Sequence, residues 1–267
     1  MTTGPFAAAT AVHRTGEGAY TGEVRPGWDI AGNANGVYLL AIAARALLDA
    51  TGRPDPVTVT GHYLAPGKPG PVTVATDVVK EGKRFATGRA TMTAADDRPL
   101  LTVVGTIGDL SEDHGALLVD GSPPDLPALD GCVLIEATDT FPPPFMGKVV
   151  LHLHPDDVGF ATHGRSGVAR VRGWFQLAEG EHVDTVALLC ALDAFPPTIF
   201  NTNLPVAWTP TVELTCHLRT RPVPGPLRCQ FTTRFVTGGF LEEDGEIWDV
   251  DGRLVAQSRQ LALVPRA

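Results

Sequence analysis

The second half of the chain repeats the first half, and this duplication limits the folds that the chain can adopt. With His62 aligned to His217 the spacing is 155 residues, and about fifty residues align without a gap. A second block, 36–47, fits 185–196 at a spacing of 149. The longer block pairs Thr60 with Thr215, Gly70-Pro71 with Gly225-Pro226, Phe85 with Phe240, Asp96 with Asp251 and Arg98 with Arg253. The sequence therefore predicts two equivalent modules.

Three polar residues occur in only one copy of the repeat. Asp193 faces Ala44, Thr211 faces Pro56, and Gln260 faces Gly105. Duplicated modules share the residues that the fold requires. Polar residues that break the symmetry are therefore the first candidates for a function.

Composition and charge restrict the class of protein. The 267 residues suit two modules of about 110 to 120 residues each, with 43% hydrophobic residues to build a core. A net charge of −9 argues against a protein that follows nucleic-acid phosphates. The longest apolar helix, 37–48, is too short to span a membrane, and residues 1–14 do not have the pattern of a signal peptide. The four cysteines have no CxxC spacing or disulfide framework. We therefore expect a cytoplasmic protein.

The pattern of elements predicts an α+β fold in which an antiparallel sheet wraps each central helix. The first copy predicts a buried helix over 36–50, capped by Asn35, and strands over 57–64, 72–81, 85–94 and 100–107. The second predicts a helix over 183–194 and strands over 212–219, 227–237, 239–250 and 253–263. A Pro-, Asp- and Gly-rich stretch between them is typical of a surface linker. The predicted domains are 1–112 and 148–267, joined by the linker 113–147.

The three unmatched residues have the chemistry of a water-activating site. Asp193 lies near the end of an apolar helix, where a carboxylate is costly unless it is paired or faces a cleft. A wrapped sheet would bring Thr211, at a strand start, and Gln260, in the last strand, near that helix end. A carboxylate, a hydroxyl and an amide can then orient one water for general-base hydrolysis. Each residue also has a structural explanation, namely a frayed helix end, a β-branched strand start and a solvent-facing amide.

Short motifs in both copies resemble the acyl-CoA thioesterase II family. The matching motifs are GVYLL at 36–40, HYLAPG at 62–67, GKRFATGR at 82–89, ALDAF at 191–195, PTVELT at 210–215 and LVAQSRQ at 254–260. The resemblance implies a tandem double hotdog fold and hydrolysis of a fatty or other acyl-CoA, an activity of lipid metabolism. It also implies that Asp193, Thr211 and Gln260 form the catalytic set.

Substrate contacts are expected at two further places. Gly36 permits close approach of a thioester to the exposed N–H groups at a helix start, where an oxyanion would be stabilised. Lys83, Arg84 and Arg89 are candidates for contacts with CoA phosphates, although exposed arginines are usually only solvated. No metal or other cofactor is expected. His152 and His154 share a strand face but lack further spaced ligands.

Two other functions remain open at this point. A hotdog enoyl-CoA hydratase or dehydratase would use a His with an Asp, for which the sequence has no clear motif. A non-catalytic acyl-CoA-binding protein would keep the fold without turnover. Acyl-CoA is the expected partner in each case, with no nucleic-acid or membrane partner. The two fused modules are expected to pair their sheets edge to edge, and further association into a homo-oligomer is compatible with the sequence.

Overall fold

In the computed structural model each half of the chain forms a curved antiparallel sheet around one helix. The structure describes residues 4–111, 117–138, 142–161 and 164–265. This arrangement confirms the predicted α+β class and the tandem double hotdog. None of the helices in these ranges is long and apolar enough to cross a membrane.

The first module is built on a long buried helix. Its elements are α1 (Pro5–Ala9), β1 (Val12–Gly16), β2 (Ala19–Val24), β3 (Asp29–Ile30), β4 (Asn33–Ala34), α2 (Gly36–Thr51), β5 (Asp55–Tyr63), β6 (Gly70–Glu81), β7 (Ala86–Ala94) and β8 (Pro99–Gly108). As predicted, Asn35 caps α2, and its side chain accepts from the Tyr38 N–H at 3.1 Å. Gly52 ends the helix at a φ of 62°, a conformation that glycine adopts without strain. Residues 37–44 of α2 are all buried, so the helix forms the core of its module.

The second module repeats this order with a shorter helix. Its elements are β10 (Val149–Leu153), β11 (Arg170–Leu177), α3 (Thr185–Ala191), β12 (Thr211–Leu218), β13 (Leu227–Thr232), β14 (Val236–Thr237), β15 (Phe240–Trp248) and β16 (Leu254–Leu263). Short 3-10 helices cover Leu129–Gly131, Pro144–Gly147, Pro155–Asp157, Gly159–Ala161, Ala178–Gly180 and Thr198–Asn201.

Two details of the predicted second module are wrong. Helix α3 ends at Ala191, so Asp193 lies in the turn after it and not within a helix reaching 194. The Asp193 N–H bonds the Cys190 carbonyl at 3.3 Å, and Pro196-Pro197 prevents a further helical turn. The strand predicted over 227–237 is two strands, because the chain leaves the β13 ladder after Thr232 and β14 pairs only with β15.

The two modules share one sheet. Strand β5 pairs antiparallel with β12, and this contact joins fourteen strands of the described chain. Their order is β1-β2-β6-β7-β8-β5-β12-β16-β15-β13-β11-β10-β9, where β9 is Val133–Ile135, and β14 lies beside β15. Six strands on each side of the β5–β12 junction correspond in order, and β9 is an additional strand of the second half. Helices α2 and α3 pack against each other on the concave side, so their apolar surfaces form one core.

The segment between the modules lies against the second module where it is described. A further strand, β9 (Val133–Ile135), extends the sheet beyond β10. The Trp174 Nε1–H donates to the Pro127 carbonyl at 2.9 Å. Residues 112–116 and 139–141 are outside the described ranges, and the predicted boundary at 112/113 falls on the first of these gaps. The division into 1–112, 113–147 and 148–267 stays a prediction.

Candidate active site

The structure brings Gln260 into contact with both of its predicted partners. Gln260 lies in β16, and its side-chain amide donates a hydrogen bond to the Thr211 hydroxyl at the start of β12. The same side chain hydrogen-bonds the Asp193 carboxylate. The three residues come from a turn and two neighbouring strands that are far apart in sequence. The antiparallel pairing of β12 with β16 is what brings Thr211 and Gln260 together.

The environment of Asp193 favours a protonated carboxyl group. The residue is half-buried in the turn after α3. Burial raises the pKa of Asp193 to about 8, the negative charge of Glu243 adds to the increase, and the hydrogen bond from Gln260 opposes it. A carboxylate with a pKa near the working pH can both accept and return a proton, which is what a general base requires.

A second buried carboxyl group, Glu243, was missed by the sequence reasoning. It lies on β15 directly across from Gln260 and accepts from the Thr198 N–H at 2.8 Å. Burial raises the pKa of Glu243 to about 7. At the 155-residue spacing its counterpart is Gly88, so the comparison of the two copies contains the information needed to identify Glu243. Glu243 thus breaks the symmetry in the same way as the three predicted residues.

Gly36 begins α2 beside the aromatic ring of Tyr63. A Cβ atom added to Gly36 would lie 3.0 Å from Tyr63 Cε1 and 3.2 Å from its Oη, so a larger residue would require the Tyr63 ring to shift. The charge of Asp193 contributes to a raised pKa of Tyr63, which places the tyrosine hydroxyl within the electrostatic reach of the candidate base. Gly36 and Tyr63 are therefore the residues of the first module that lie next to the candidate site of the second module.

The predicted phosphate contacts lie elsewhere. Arg53, just after α2, donates hydrogen bonds to the carbonyls of Gly82 and Arg84, which fixes the β6–β7 turn at the C-terminal end of that helix. Gly36 is at the other end, about 24 Å away along a 16-residue helix. Arg89 forms an exposed ion pair with Asp77 at 2.8 Å. The structure does not bring Lys83, Arg84 and Arg89 together with Asp193.

Sequence comparison identifies the family. A profile of the acyl-CoA thioesterase N-terminal domain matches residues 24–108, and a profile of the acyl-CoA thioesterase C-terminal domain matches residues 116–264. The chain belongs to the acyl-CoA thioesterase II family. This places it among the thioester hydrolases and confirms the resemblance expected from the motifs.

Relatives match this thioesterase chain over nearly its whole length. A candidate thioesterase II from Thermobifida fusca is 33% identical, with a TM-score of 0.89 over 100% of this chain and 98% of that one. An uncharacterised protein of Mycobacterium tuberculosis is 30% identical over 92% of this chain and 91% of its own length. An acyl-CoA thioesterase II from Mycobacterium marinum is 14% identical with a TM-score of 0.71, covering 98% of each chain, and shares the fold.

The symmetry-related position in the first copy cannot hold a matching site. Ala44, the counterpart of Asp193, is completely buried, and Pro56 replaces Thr211. At Gly105, the counterpart of Gln260, an added Cβ would already be 3.3 Å from the Thr58 carbonyl and 3.4 Å from Leu47. A glutamine at this position would therefore require its neighbours to shift. The thioesterase therefore has this set of polar groups in one of its two halves.

The histidines considered as metal ligands do not form a metal site in the described residues. There, no group of three or more His, Cys, Asp and Glu side chains is arranged to hold a metal ion. The His154 imidazole accepts from the Asp156 N–H at 3.1 Å. His154 thus has a local structural role at the end of β10.

Proposed function

We propose that this protein hydrolyses acyl-CoA thioesters to a free acid and CoA by activating water with Asp193. The observation that supports this proposal most strongly is the contact of Gln260 with both Thr211 and Asp193. A carboxylate, a hydroxyl and an amide in contact are the groups needed to hold one water and accept its proton. The proposed chemistry uses no metal or other cofactor.

In this mechanism the Gln260 amide orients the Thr211 hydroxyl. Because Thr211 accepts from Gln260, its own O–H is free to turn toward a water molecule. That water donates a proton to the Asp193 carboxylate as its oxygen attacks the thioester carbonyl carbon. The tetrahedral intermediate then collapses, the carbon–sulfur bond breaks, and the leaving CoA thiolate takes the proton back from the Asp193 carboxyl group.

The developing oxyanion needs donors that are already in place. The first N–H groups of α2 have no acceptor within the helix, and the positive end of the helix dipole favours negative charge at this point. Gly36 leaves this helix end without a side chain beside the Tyr63 ring, where an added Cβ would be only 3.0 Å from Tyr63 Cε1. Gly36 is therefore the proposed oxyanion position.

Cysteine chemistry at this site is disfavoured. Cys190 and Cys216 are completely buried near Asp193, and burial raises the pKa of both thiols. A thiol that stays protonated is a poor nucleophile. Water activation by the carboxylate fits this environment better than a covalent thioester intermediate.

The test is release of free thiol from acyl-CoAs of several chain lengths by the wild type and Asp193→Asn. We expect Asp193→Asn to lower kcat by at least about 100-fold, since a general base contributes that much or more. Asp96→Asn is the matched control, because Asp96 is an exposed carboxylate in a turn of the first module. Normal turnover by Asp193→Asn would exclude the proposed base.

The same assays distinguish the other functions. Tight binding of acyl-CoA by the wild type without thiol release would identify a non-catalytic binding protein. Hydration of an enoyl-CoA without thiol release would identify a hydratase. A fast thiol release that is lost in Asp193→Asn supports the thioesterase alone.

Lys83, Arg84 and Arg89 form a separate part of the proposal, as contacts to the CoA phosphates. Replacing Lys83 and Arg84 by alanine should raise KM for an acyl-CoA and leave KM unchanged for the same acyl group on N-acetylcysteamine, which has no phosphates. An equal effect on both substrates would exclude the phosphate contact. Because these residues are remote from Gly36, kcat should not change for either substrate.

A further inference from the structure

One of the three tyrosines has a buried hydroxyl group with no hydrogen-bond partner in the part of the chain that the structure describes. The Tyr20 hydroxyl donates to Asp49 at 2.9 Å and accepts from Arg14 at 2.9 Å. The Tyr38 hydroxyl lies 3.0 Å from the Ala9 carbonyl, to which it donates. The Tyr63 hydroxyl is buried and has no hydrogen-bond partner among the described residues. Buried polar groups are paired in the great majority of cases, so this exception requires an explanation.

Tyr63 is placed where a substrate carbonyl is expected. It ends β5 in the first module, and its ring lies against Gly36 at the start of α2. The hydroxyl oxygen is 3.2 Å from the point that a Gly36 Cβ would occupy. A helix N–H without an acceptor and a phenol O–H without an acceptor therefore flank the same small region. A single carbonyl oxygen can accept from both donors because it has two lone pairs.

The electrostatic surroundings keep this hydroxyl protonated. Burial raises the pKa of Tyr63 well above its ordinary value, and the negative charges of Asp193 and Glu213 act in the same direction. The phenol therefore keeps its proton and remains a hydrogen-bond donor at neutral pH. The influence of Asp193 on this pKa also shows that Tyr63 lies within electrostatic reach of the proposed base.

We propose that the Tyr63 hydroxyl is a further catalytic group, which donates a hydrogen bond to the thioester carbonyl oxygen beside the Gly36 N–H. This inference rests on the proposed function and adds a second residue of the first module, beside Gly36, to a site whose other groups come from the second module. At the 155-residue spacing the counterpart of Tyr63 is Leu218, so the donor is present in one copy. The two modules are then both required for one reaction.

The proposal explains why an unpaired hydroxyl is retained in the fold. A buried hydroxyl without an acceptor lowers the stability of the folded protein. Phenylalanine would fill the same space and remove that penalty. A donor that is kept out of water until a ligand arrives forms its strongest interaction when negative charge develops on the carbonyl oxygen.

Tyr63→Phe tests the proposal directly. Thiol release should fall about 100-fold in kcat with little change in KM, because the lost interaction strengthens in the transition state. The midpoint of thermal unfolding should be equal to or higher than that of the wild type. Tyr20→Phe is the matched control, since its hydroxyl is paired and remote from Gly36. That variant should lose stability and keep its kcat.

Two ligands separate the carbonyl contact from general effects on binding. The first is a CoA ketone in which a methylene group replaces the sulfur of octanoyl-CoA, and the second is the corresponding thioether without the carbonyl. Calorimetry should show about tenfold weaker binding of the ketone to Tyr63→Phe and equal binding of the thioether to both proteins. This comparison does not require turnover.

The outcomes distinguish this proposal from the function on which it rests. If Tyr63→Phe keeps its activity within about threefold while Asp193→Asn is inactive, Tyr63 is not catalytic and the thioesterase mechanism stands. If Tyr63→Phe unfolds at a lower temperature, the hydroxyl has a structural partner and the proposal is overturned. If the wild type releases no thiol, the proposed function fails. If the wild type and Tyr63→Phe bind the ketone equally well, the Tyr63 contact is rejected, whatever the result of the turnover assay.

Discussion

Thr60 and Thr215 hydrogen-bond each other through their side chains at 2.9 Å, and they are equivalent residues of the two copies. They also face each other in the β5–β12 ladder. A residue can pair with its own repeat equivalent only on the pseudo-twofold axis, so this contact marks the axis that relates the modules. Thr215 donates in turn to Glu213 at 2.5 Å, so its hydroxyl accepts from Thr60.

This pair predicts a measurable energetic link between the modules. Thr60→Val should lower the free energy of unfolding by about 0.5–1.5 kcal/mol, the usual net contribution of one hydrogen bond. Thr60→Val and Thr215→Val together should cost less than the two single changes added, because both remove the same bond. Chemical denaturation checks this, with exposed Thr91→Val on β7 as the control. If the loss of stability in the double variant equals the sum of the two single losses, the two threonines are not energetically coupled and the prediction is wrong.

Gln260 and Gln257 offer a matched comparison on one strand. Gln260 contacts Thr211 and Asp193, whereas Gln257 accepts from the exposed Arg219. We expect Gln260→Ala to lower kcat/KM by about 100-fold, since the water and its base lose their orientation. Gln257→Ala should stay within about twofold of the wild type. Equal effects of the two changes on thiol release would contradict the proposed role of Gln260.

The pH dependence of catalysis should follow the carboxyl group of Asp193. A base acts when deprotonated, so kcat/KM should rise with pH and reach half of its maximum near the Asp193 pKa of about 8. The charge of Glu243 contributes to that raised pKa. Glu243→Gln should therefore move the midpoint of the profile down by about 0.5–1 pH unit while its side chain still accepts from Thr198. A midpoint that does not move would show that Glu243 has no effect on the base.

Stability should depend on pH through the same two carboxyl groups. Both Asp193 and Glu243 have a higher pKa in the folded chain than in the unfolded chain. Between about pH 4 and 8 the folded state binds more protons, so the free energy of unfolding falls as pH rises through this range. At pH 9 we expect Asp193→Asn to be more stable than the wild type by about 1–3 kcal/mol, and near pH 4 the difference should vanish. If the free energies of unfolding of the wild type and Asp193→Asn change in parallel with pH, this expectation is contradicted. Asp96→Asn is the control for the loss of an exposed carboxylate.

An ion pair between the buried Asp55 carboxylate and the partly exposed Arg221, just after the C-terminal end of α2, should matter for stability alone. Asp55 is 3% exposed, and Arg221 donates to its carboxylate with Nη2 at 2.7 Å while Thr185 donates at 2.8 Å. Arg221→Met leaves that carboxylate without its cation and should cost about 1–3 kcal/mol. The same change at Arg219, which is also exposed but bonds the neutral Gln257 side chain, should cost less than about 0.5 kcal/mol. Thermal unfolding checks both variants, and the kcat of folded Arg221→Met should equal that of the wild type.

The differences between the two copies of the repeat identify most of the site. Asp193, Thr211 and Gln260 each face an apolar or small residue in the other copy, and the structure brings them into contact. Glu243 faces Gly88 and Tyr63 faces Leu218, so the same comparison includes them. They resemble an ordinary strand glutamate and an ordinary strand tyrosine. Only their burial shows that they are unusual.

The sequence by itself determined the duplication, the buried helix α2, most of the strands and the family. These features depend on local spacing, since apolar periodicity and caps act within a few residues of each other. Tertiary structure decided which side chains meet. The order of the strands places Gln260 beside Thr211 and across from Glu243, and the packing of β5 against α2 brings Tyr63 to Gly36. Contacts between distant segments depend on how the whole sheet wraps around both helices. Local sequence patterns do not determine this arrangement, because they act over only a few residues.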